Sequence, residues 1–191
     1  MIISFITPNN AFVPVEFMKS ILALPPRFNY YSAQGPSLPD NRNRCYEHAK
    51  KMNEDLLFID SDIVFTPEDV SKVEEHLKTL DVISGIYLLG YPPAEGIPAI
   101  FGLKKEKDYE YIKPGKELFQ IGACGGGFLG VSKRVYPVLC DNPFDNYWEG
   151  AIVHGEDISF CHRINEAGLK VWCDATICVG HIRQTTRWYG K

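Results

Sequence analysis

The chain begins with an almost unbroken apolar run, Ile2-Ile3-Ser4-Phe5-Ile6, and turns polar at Thr7-Pro8-Asn9-Asn10. A short apolar run closed by a turn signal predicts a strand buried on both faces. From Pro14 to Leu24 the apolar residues recur at helical spacing, and Pro25-Pro26 stops that helix. A polar stretch from Ser32 to Pro39 leads to Asp40, read as the N-cap of a helix over about Asn41 to Met52. Leu56-Leu57-Phe58-Ile59 predicts a central parallel strand that ends in Asp60-Ser61-Asp62. Thr66-Pro67-Glu68-Asp69 combines a capping threonine, a proline at the first helical position and early acids, so a helix is expected to about Leu80. Val82 to Tyr87 predicts the next strand.

Past residue 90 the pattern changes. Ala99 to Leu103, Tyr109 to Ile112 and Phe128 to Val131 are short β-like segments parted by Pro and Gly, as in antiparallel pieces. A helix is expected over about Glu156 to Ala167, closed by Gly168 and followed by a strand from Lys170 to Cys173. The first part is thus βαβ and the second mixed, which predicts an α/β fold with no internal repeat.

Composition narrows this. The 191 residues, 45% of them hydrophobic, suit one domain with a real core. A formal net charge of −4 argues against a nucleic-acid partner, which normally meets a basic face, and favours a small anion held locally. No apolar run approaches the roughly 20 residues that span a bilayer, so no integral membrane segment is expected. The apolar start has no basic leader in front of it and reads as a core strand, not a signal peptide. Cys45, Cys124, Cys140, Cys161, Cys173 and Cys178 lack the paired spacing of a zinc site. They are expected as reduced, mostly buried thiols of a soluble cytoplasmic protein, with a disulfide framework as the alternative.

Candidate chemistry starts at Asp60-Ser61-Asp62. Ligands of open α/β sheets bind outside the carboxyl ends of parallel strands, and this triplet lies at such an end. Two alternate carboxylates before a turn can offer hard oxygen ligands to Mg²⁺ or Mn²⁺ and leave positions for phosphate oxygens; equally, aspartates cap turns. Arg42 and Arg44 fall in the first turn of a predicted helix, whose free N–H groups favour anions, although a helical arginine is usually solvated. Gly125-Gly126-Gly127-Phe128-Leu129-Gly130 formally matches the dinucleotide fingerprint, but no helix opens within it. These glycines let backbone approach a ligand closely, or form a plain turn. Glu156 and Asp157 open a helix, where the dipole alone favours acids.

From Leu56 to Asp62 the sequence resembles the DXD signature of GT-A fold glycosyltransferases. Arg42-Asn43-Arg44 with Ala49 looks like the Arg-Asn helix start that precedes DXD in family 2-like enzymes. Gly155 to Gly168 resembles that family's Glu-Asp helix, and His181 after Gly180 matches a histidine that completes the metal site in many GT-A enzymes. The resemblance covers nearly the whole chain and extends to minimal glycosyltransferases of large DNA viruses and phages.

It implies a GT-A fold: a Rossmann-like half with a mixed central sheet over about residues 1–90, which binds the nucleotide-sugar, and an antiparallel acceptor-binding and catalytic half over about 91–191. It implies metal-dependent hexosyl or deoxyhexosyl transfer from a UDP-linked donor to a hydroxyl of a carbohydrate or glycoconjugate. Asp60, Asp62 and His181 would hold Mn²⁺ or Mg²⁺. Thr7, Pro8, Arg42, Asn43, Ser61, Gly126 and Gly127 would join the two aspartates around the nucleotide-sugar. Asp157 would be the base of an inverting transfer and Glu156 its helper.

A loop from Asp141 to Gly155 carries Phe144, Tyr147 and Trp148; sugars stack on aromatic faces, and Trp148 is the acceptor candidate, with core packing the alternative for all three. The basic, aromatic segment after His181 reads as a lid over a diphosphate or as a frayed end. Two other functions fit parts of the pattern. A sugar-nucleotide nucleotidyltransferase would need a Gly-rich basic loop after the first strand, where this chain has Thr7-Pro8-Asn9-Asn10-Ala11. A carbohydrate-binding module would need no Asp157 placed for proton transfer.

Overall fold

The computed structural model describes residues 1–8, 13–90, 96–102 and 109–182. In chain order its elements are β1 (Ile2–Pro8), α1 (Val15–Leu22), β2 (Asn29–Gly35), α2 (Leu38–Met52), β3 (Leu56–Asp60), β4 (Ile63–Val64), α3 (Pro67–His76) and β5 (Val82–Ile86). They continue with β6 (Ile100–Phe101), β7 (Leu118–Ile121), β8 (Ala123–Cys124), β9 (Phe128–Val131), β10 (Tyr147–Glu149), β11 (Ile152–His154), α4 (Glu156–Glu166), β12 (Val171–Cys178) and β13 (Gly180–His181).

Seven strands form one mixed sheet in the order β2-β1-β3-β9-β5-β12-β7. β1 runs parallel to β2 and β3, and β12 parallel to β5. β9 lies antiparallel between β3 and β5, so β3 is parallel to one neighbour only, a correction to its expected all-parallel setting. Along β3 successive side chains alternate between faces. Leu56 and Phe58 enter a core with Tyr46, Phe144 and Phe160, and Leu57 and Ile59 enter another with Phe17, Val73 and Phe128. Burial on both faces is why the strand reads as a continuous apolar run. In the first core the Phe144 and Phe160 rings stack at 4.4 Å, and Phe58 meets Phe144 at 5.1 Å.

Helix boundaries follow local chemistry. Thr66 and Asp69 complete the expected capping box of α3. That helix ends at His76, not near Leu80, because the N–H groups of Thr79 and Leu80 both turn back to the His76 carbonyl. The cap of α2 is Ser37 and not Asp40: the Ser37 hydroxyl accepts the Asp40 N–H at 3.3 Å, and Pro39 lies inside the first turn. α1 stops at Leu22 and α4 at Glu166, where Gly168 takes the expected left-handed turn at φ 76°.

Several strands depart from expectation. The expected polar stretch from Ser32 to Pro39 overlaps the end of β2, an edge strand in which only Ala33 is buried and which therefore lacks an apolar run. Tyr109 to Ile112 is not a strand and makes a single bridge, Tyr111 to Phe101. Of Ala99 to Leu103 only Ile100–Phe101 is strand, and Leu103 lies outside the described residues. β12 continues past Cys173 to Cys178, and the β10–β11 hairpin falls in the expected loop. The segment from Arg183 onward, read as a lid or frayed end, also lies outside the described residues. Among the described residues no helix is long and apolar enough to cross a membrane.

Gly130 shows how tightly β9 is inserted. A Cβ there would come within 2.7 Å of Val73 Cγ1 and 2.8 Å of Ile83 Cγ2, both enclosed in the core. Gly130→Ala should therefore cost about 1–3 kcal/mol by overpacking. Urea unfolding checks this: the midpoint falls while the slope stays unchanged.

Candidate active site

The site is organised around Arg42. It shares the inward face of α2 with Cys45, Tyr46 and Ala49, and only 1% of it is exposed. A buried guanidinium needs partners, because an unpaired charge in a dry interior is costly. It finds three: Nη2 donates to Asp60 Oδ1 and Oδ2 at 3.1 Å, Nε to Glu156 Oε1 at 3.1 Å and Nη1 to the Gly126 carbonyl at 3.1 Å. One side chain thus joins α2, the end of β3, the glycine loop and the start of α4.

The glycine loop, Gly125 to Gly127, links β8 to β9, and close approach explains its composition. A Cβ on Gly126 would lie 2.6 Å from the Arg42 guanidinium carbon, and one on Gly125 only 2.1 Å from the Tyr87 hydroxyl. Its polar groups are paired. The Gly126 N–H donates to Asp157 Oδ2 at 3.3 Å and the Gly127 N–H to the Tyr87 hydroxyl at 3.1 Å; the Gly127 carbonyl accepts the Asp60 N–H at 3.0 Å.

Asp157 sits in the first turn of α4 and also accepts the Ile158 N–H at 2.7 Å. Burial, reinforced by the neighbouring Glu156 carboxylate, pushes its pKa up to about 6 against the opposing pull of Arg42 and the two backbone donors. Burial also raises the Asp60 pKa, with Arg42 opposing and Asp62 adding to the rise.

Asp62 and His181 meet because β4 pairs with β13, with His181 opposite Ile63 and the Ile182 N–H bonded to the Asp62 carbonyl at 2.8 Å. His181 Nε2 stands 3.2 Å from Asp62 Oδ2, and Nδ1 lies 2.8 Å from the Leu88 carbonyl. A carbonyl only accepts, so Nδ1 carries a proton and Nε2 is the nitrogen turned to Asp62. The Asp62 hydrogen bond raises the imidazole pKa, partly countered by burial. A histidine oriented by a backbone carbonyl next to a carboxylate is a chemically suitable donor pair for Mg²⁺ or Mn²⁺. Among the described residues no three His, Cys, Asp or Glu side chains cluster to hold an ion, since Asp60 turns to Arg42.

Arg42, Asp60, Asp62, Tyr87, Gly126, Gly127, Glu156, Asp157 and His181 line one cleft of about 170 Å³. Other candidates lie elsewhere. Ser61 is buried, and its N–H bonds the Ile6 carbonyl at 3.2 Å. Thr7 and Pro8 end β1 beside Gln34 and Gly35. Asn43 faces the loop after Cys140: its amide donates to Asp145 Oδ1 at 2.8 Å and accepts the Phe144 N–H at 2.9 Å. Phe144 is core, Tyr147 packs on His154 and His162, and Trp148 is 66% exposed on the hairpin opposite Val153. Tyr87 was not anticipated as a site residue; its only sequence signal was its place at the end of a predicted strand.

No family model matches the sequence, and no curated protein matches it. Among solved structures the chain is similar to A197 from STIV, with TM-score 0.70 and 20% identity over 96% of this chain and 86% of that one. It is similar to GalNAc-T7, solved with UDP, GalNAc and Mn²⁺, with TM-score 0.65 and 13% identity; all of this chain spans 45% of that protein. A third likeness is to a provisionally assigned nucleotide-diphospho-sugar transferase from Desulfovibrio desulfuricans G20, with TM-score 0.53 and 15% identity over 95% of this chain and 81% of that one. The expected GT-A-like fold is thereby shown.

Replacing Arg42 would leave three carboxylates facing one another. Arg42→Met keeps the apolar stem and should cost about 2–3 kcal/mol, below the roughly 3–5 of a fully buried pair because Asp60 keeps 28% side-chain exposure. Without the cation the folded-state pKa values of Asp60 and Asp157 rise further. Protonation then relieves the repulsion, so the deficit should be smaller near about pH 5 than near about pH 8. Urea titrations of both proteins at the two pH values measure the difference.

Proposed function

We propose that this chain is an inverting glycosyltransferase that moves a sugar from a UDP-linked donor to a hydroxyl of a carbohydrate or glycoconjugate acceptor. The observation that carries this reading is the sharing of one cleft by the Asp62–His181 pair and by Asp157, whose pKa of about 6 leaves it ionised near neutrality yet more basic than an ordinary carboxylate. The likeness in fold to GalNAc-T7, solved with UDP, GalNAc and Mn²⁺, supports it.

In this reading Asp62 and His181 would hold Mn²⁺ or Mg²⁺, which when bound would offset the charge of the diphosphate. Asp60, fixed by Arg42, forms the nucleotide side of the cleft at the carboxyl end of β3, and Thr7, Pro8 and Ser61, at the neighbouring strand ends outside the cleft lining, meet the part of the nucleotide that extends beyond it. Gly126 and Gly127 present a wall without side chains, close to the sugar. Glu156, held by Arg42, keeps the start of α4 in register and leaves Asp157 facing the cleft. Asp157 takes the proton of the acceptor hydroxyl as that oxygen bonds to the anomeric carbon. The bond from that carbon to the β-phosphate oxygen breaks, and the nucleoside diphosphate leaves with the electron pair. Trp148, exposed on the hairpin that leads into α4, offers the acceptor sugar an aromatic face.

Asp62→Ala should abolish metal-dependent binding of UDP and UDP-sugars while the fold persists; titration calorimetry with and without Mn²⁺ reads this, and unchanged metal-dependent affinity removes Asp62 from the site. Asp157→Asn keeps size and shape but not basicity, so donor binding should persist while single-turnover transfer falls roughly 10²–10⁴-fold. With Mn²⁺ and donor saturating, the single-turnover rate of the wild type should rise as pH increases through about 6, because Asp157 must lose its proton to act as base, and this rise should be absent in Asp157→Asn. A product that keeps the donor's anomeric configuration would replace direct displacement.

A further inference from the structure

Among the described residues that line the cleft, Tyr87 is the one polar residue that the mechanism above leaves without a task. Its ring edge packs on His181, with centroids 5.6 Å apart and planes at 84°, and its hydroxyl reaches away from that ring to the glycine loop. There the oxygen accepts the Gly127 N–H at 3.1 Å, and no acceptor for its own proton is present among the described residues. Tyr87 is 8% exposed and lines the cleft. A phenol, with an ordinary pKa of about 10, is neutral near pH 7, so the O–H is a donor there.

A buried donor with an unused proton is costly to leave unmade. The hydroxyl adjoins the same loop whose Gly126 N–H holds Asp157, while the ring body adjoins the Asp62–His181 pair. Tyr87 thus spans the cleft from its diphosphate end to its proton-transfer end, with the free O–H at the latter. We propose that Tyr87 is a specificity-determining residue whose phenol O–H donates to a hydroxyl oxygen of the donor's sugar, not to the nucleotide. This rests on the transferase reading above. It also accounts for the glycines in front of it: a Cβ on Gly125 or Gly127 would come within 2.1 or 3.0 Å of the hydroxyl.

The test uses the full chain in Mn²⁺, with UDP and whichever of UDP-glucose, UDP-galactose, UDP-N-acetylglucosamine and UDP-N-acetylgalactosamine binds the wild type most tightly. Tyr87→Phe keeps the ring and removes the donor. Its affinity for the UDP-sugar should fall about 2- to 10-fold, the worth of one net hydrogen bond, with UDP affinity unchanged. A donor analogue that lacks the contacted sugar hydroxyl should bind both proteins equally. Equal UDP-sugar affinity in the two proteins, or equal losses for UDP and UDP-sugar, overturns the assignment and leaves Tyr87 as a support for the loop. If Tyr87→Phe does not fold, a crystal structure of the wild-type complex decides: Tyr87 Oη beyond hydrogen-bond reach of every sugar oxygen overturns it. A wild type that binds none of these nucleotides overturns the transferase reading itself, whereas binding without a Tyr87 effect overturns this inference alone.

Discussion

A permanently charged guanidinium with 1% exposure is the constraint from which the rest of the site follows. Arginine cannot shed its proton to escape burial. Its charge must be met in place, and Asp60, Glu156 and the Gly126 carbonyl meet it from three separate elements. Each partner is thereby fixed in position: the end of β3 cannot drift from α2, and α4 cannot open at its first turn without baring a charge. The acids that face the cleft are held at close quarters by this one cation, which is how a raised Asp157 pKa and an intact fold coexist.

Much of the site could be read from the sequence because its residues occupy positions with local signatures. Asp60-Ser61-Asp62 stands out where an apolar run stops, and Glu156-Asp157 where a helix opens after a glycine. Arg42 was visible as a residue of a helix start, but its partners were not. Its ion pair with Glu156 joins positions 114 apart in the chain, and no local pattern encodes a contact of that range. The glycines of 125–127 announced a close backbone approach; which groups approach, Arg42 and Tyr87, is a property of the assembled sheet. Asn43 shows the opposite limit. The same Arg-Asn pair that suggests a ligand contact splits by helical geometry, with Arg42 in the cleft and Asn43 against Phe144 and Asp145.

For the fold, apolar runs were decisive wherever both faces are covered, as in β1, β3 and β5. They failed at β2, where one edge and much of the face meet solvent and two adjacent tyrosines, Tyr30 and Tyr31, sit among polar residues. Strand order is the deeper gap. Phe128 to Val131 was legible as an antiparallel piece, yet its place between β3 and β5 depends on which unpaired edges remain to be filled, and neighbouring sequence says nothing about that.

That placement also has a consequence for how the chain assembles during synthesis. β3 and β5 belong to the first ninety residues, but they have no common strand neighbour until β9 emerges, about forty residues later. Until then each presents a bare, apolar edge, the feature that invites strand pairing with other chains. The sheet closes only through a contact of long sequence separation, which slows folding relative to a fold built from local pairs. The nascent chain therefore passes through an interval in which β3, paired with β1 on one side only, and β5 are complete with apolar edges still open.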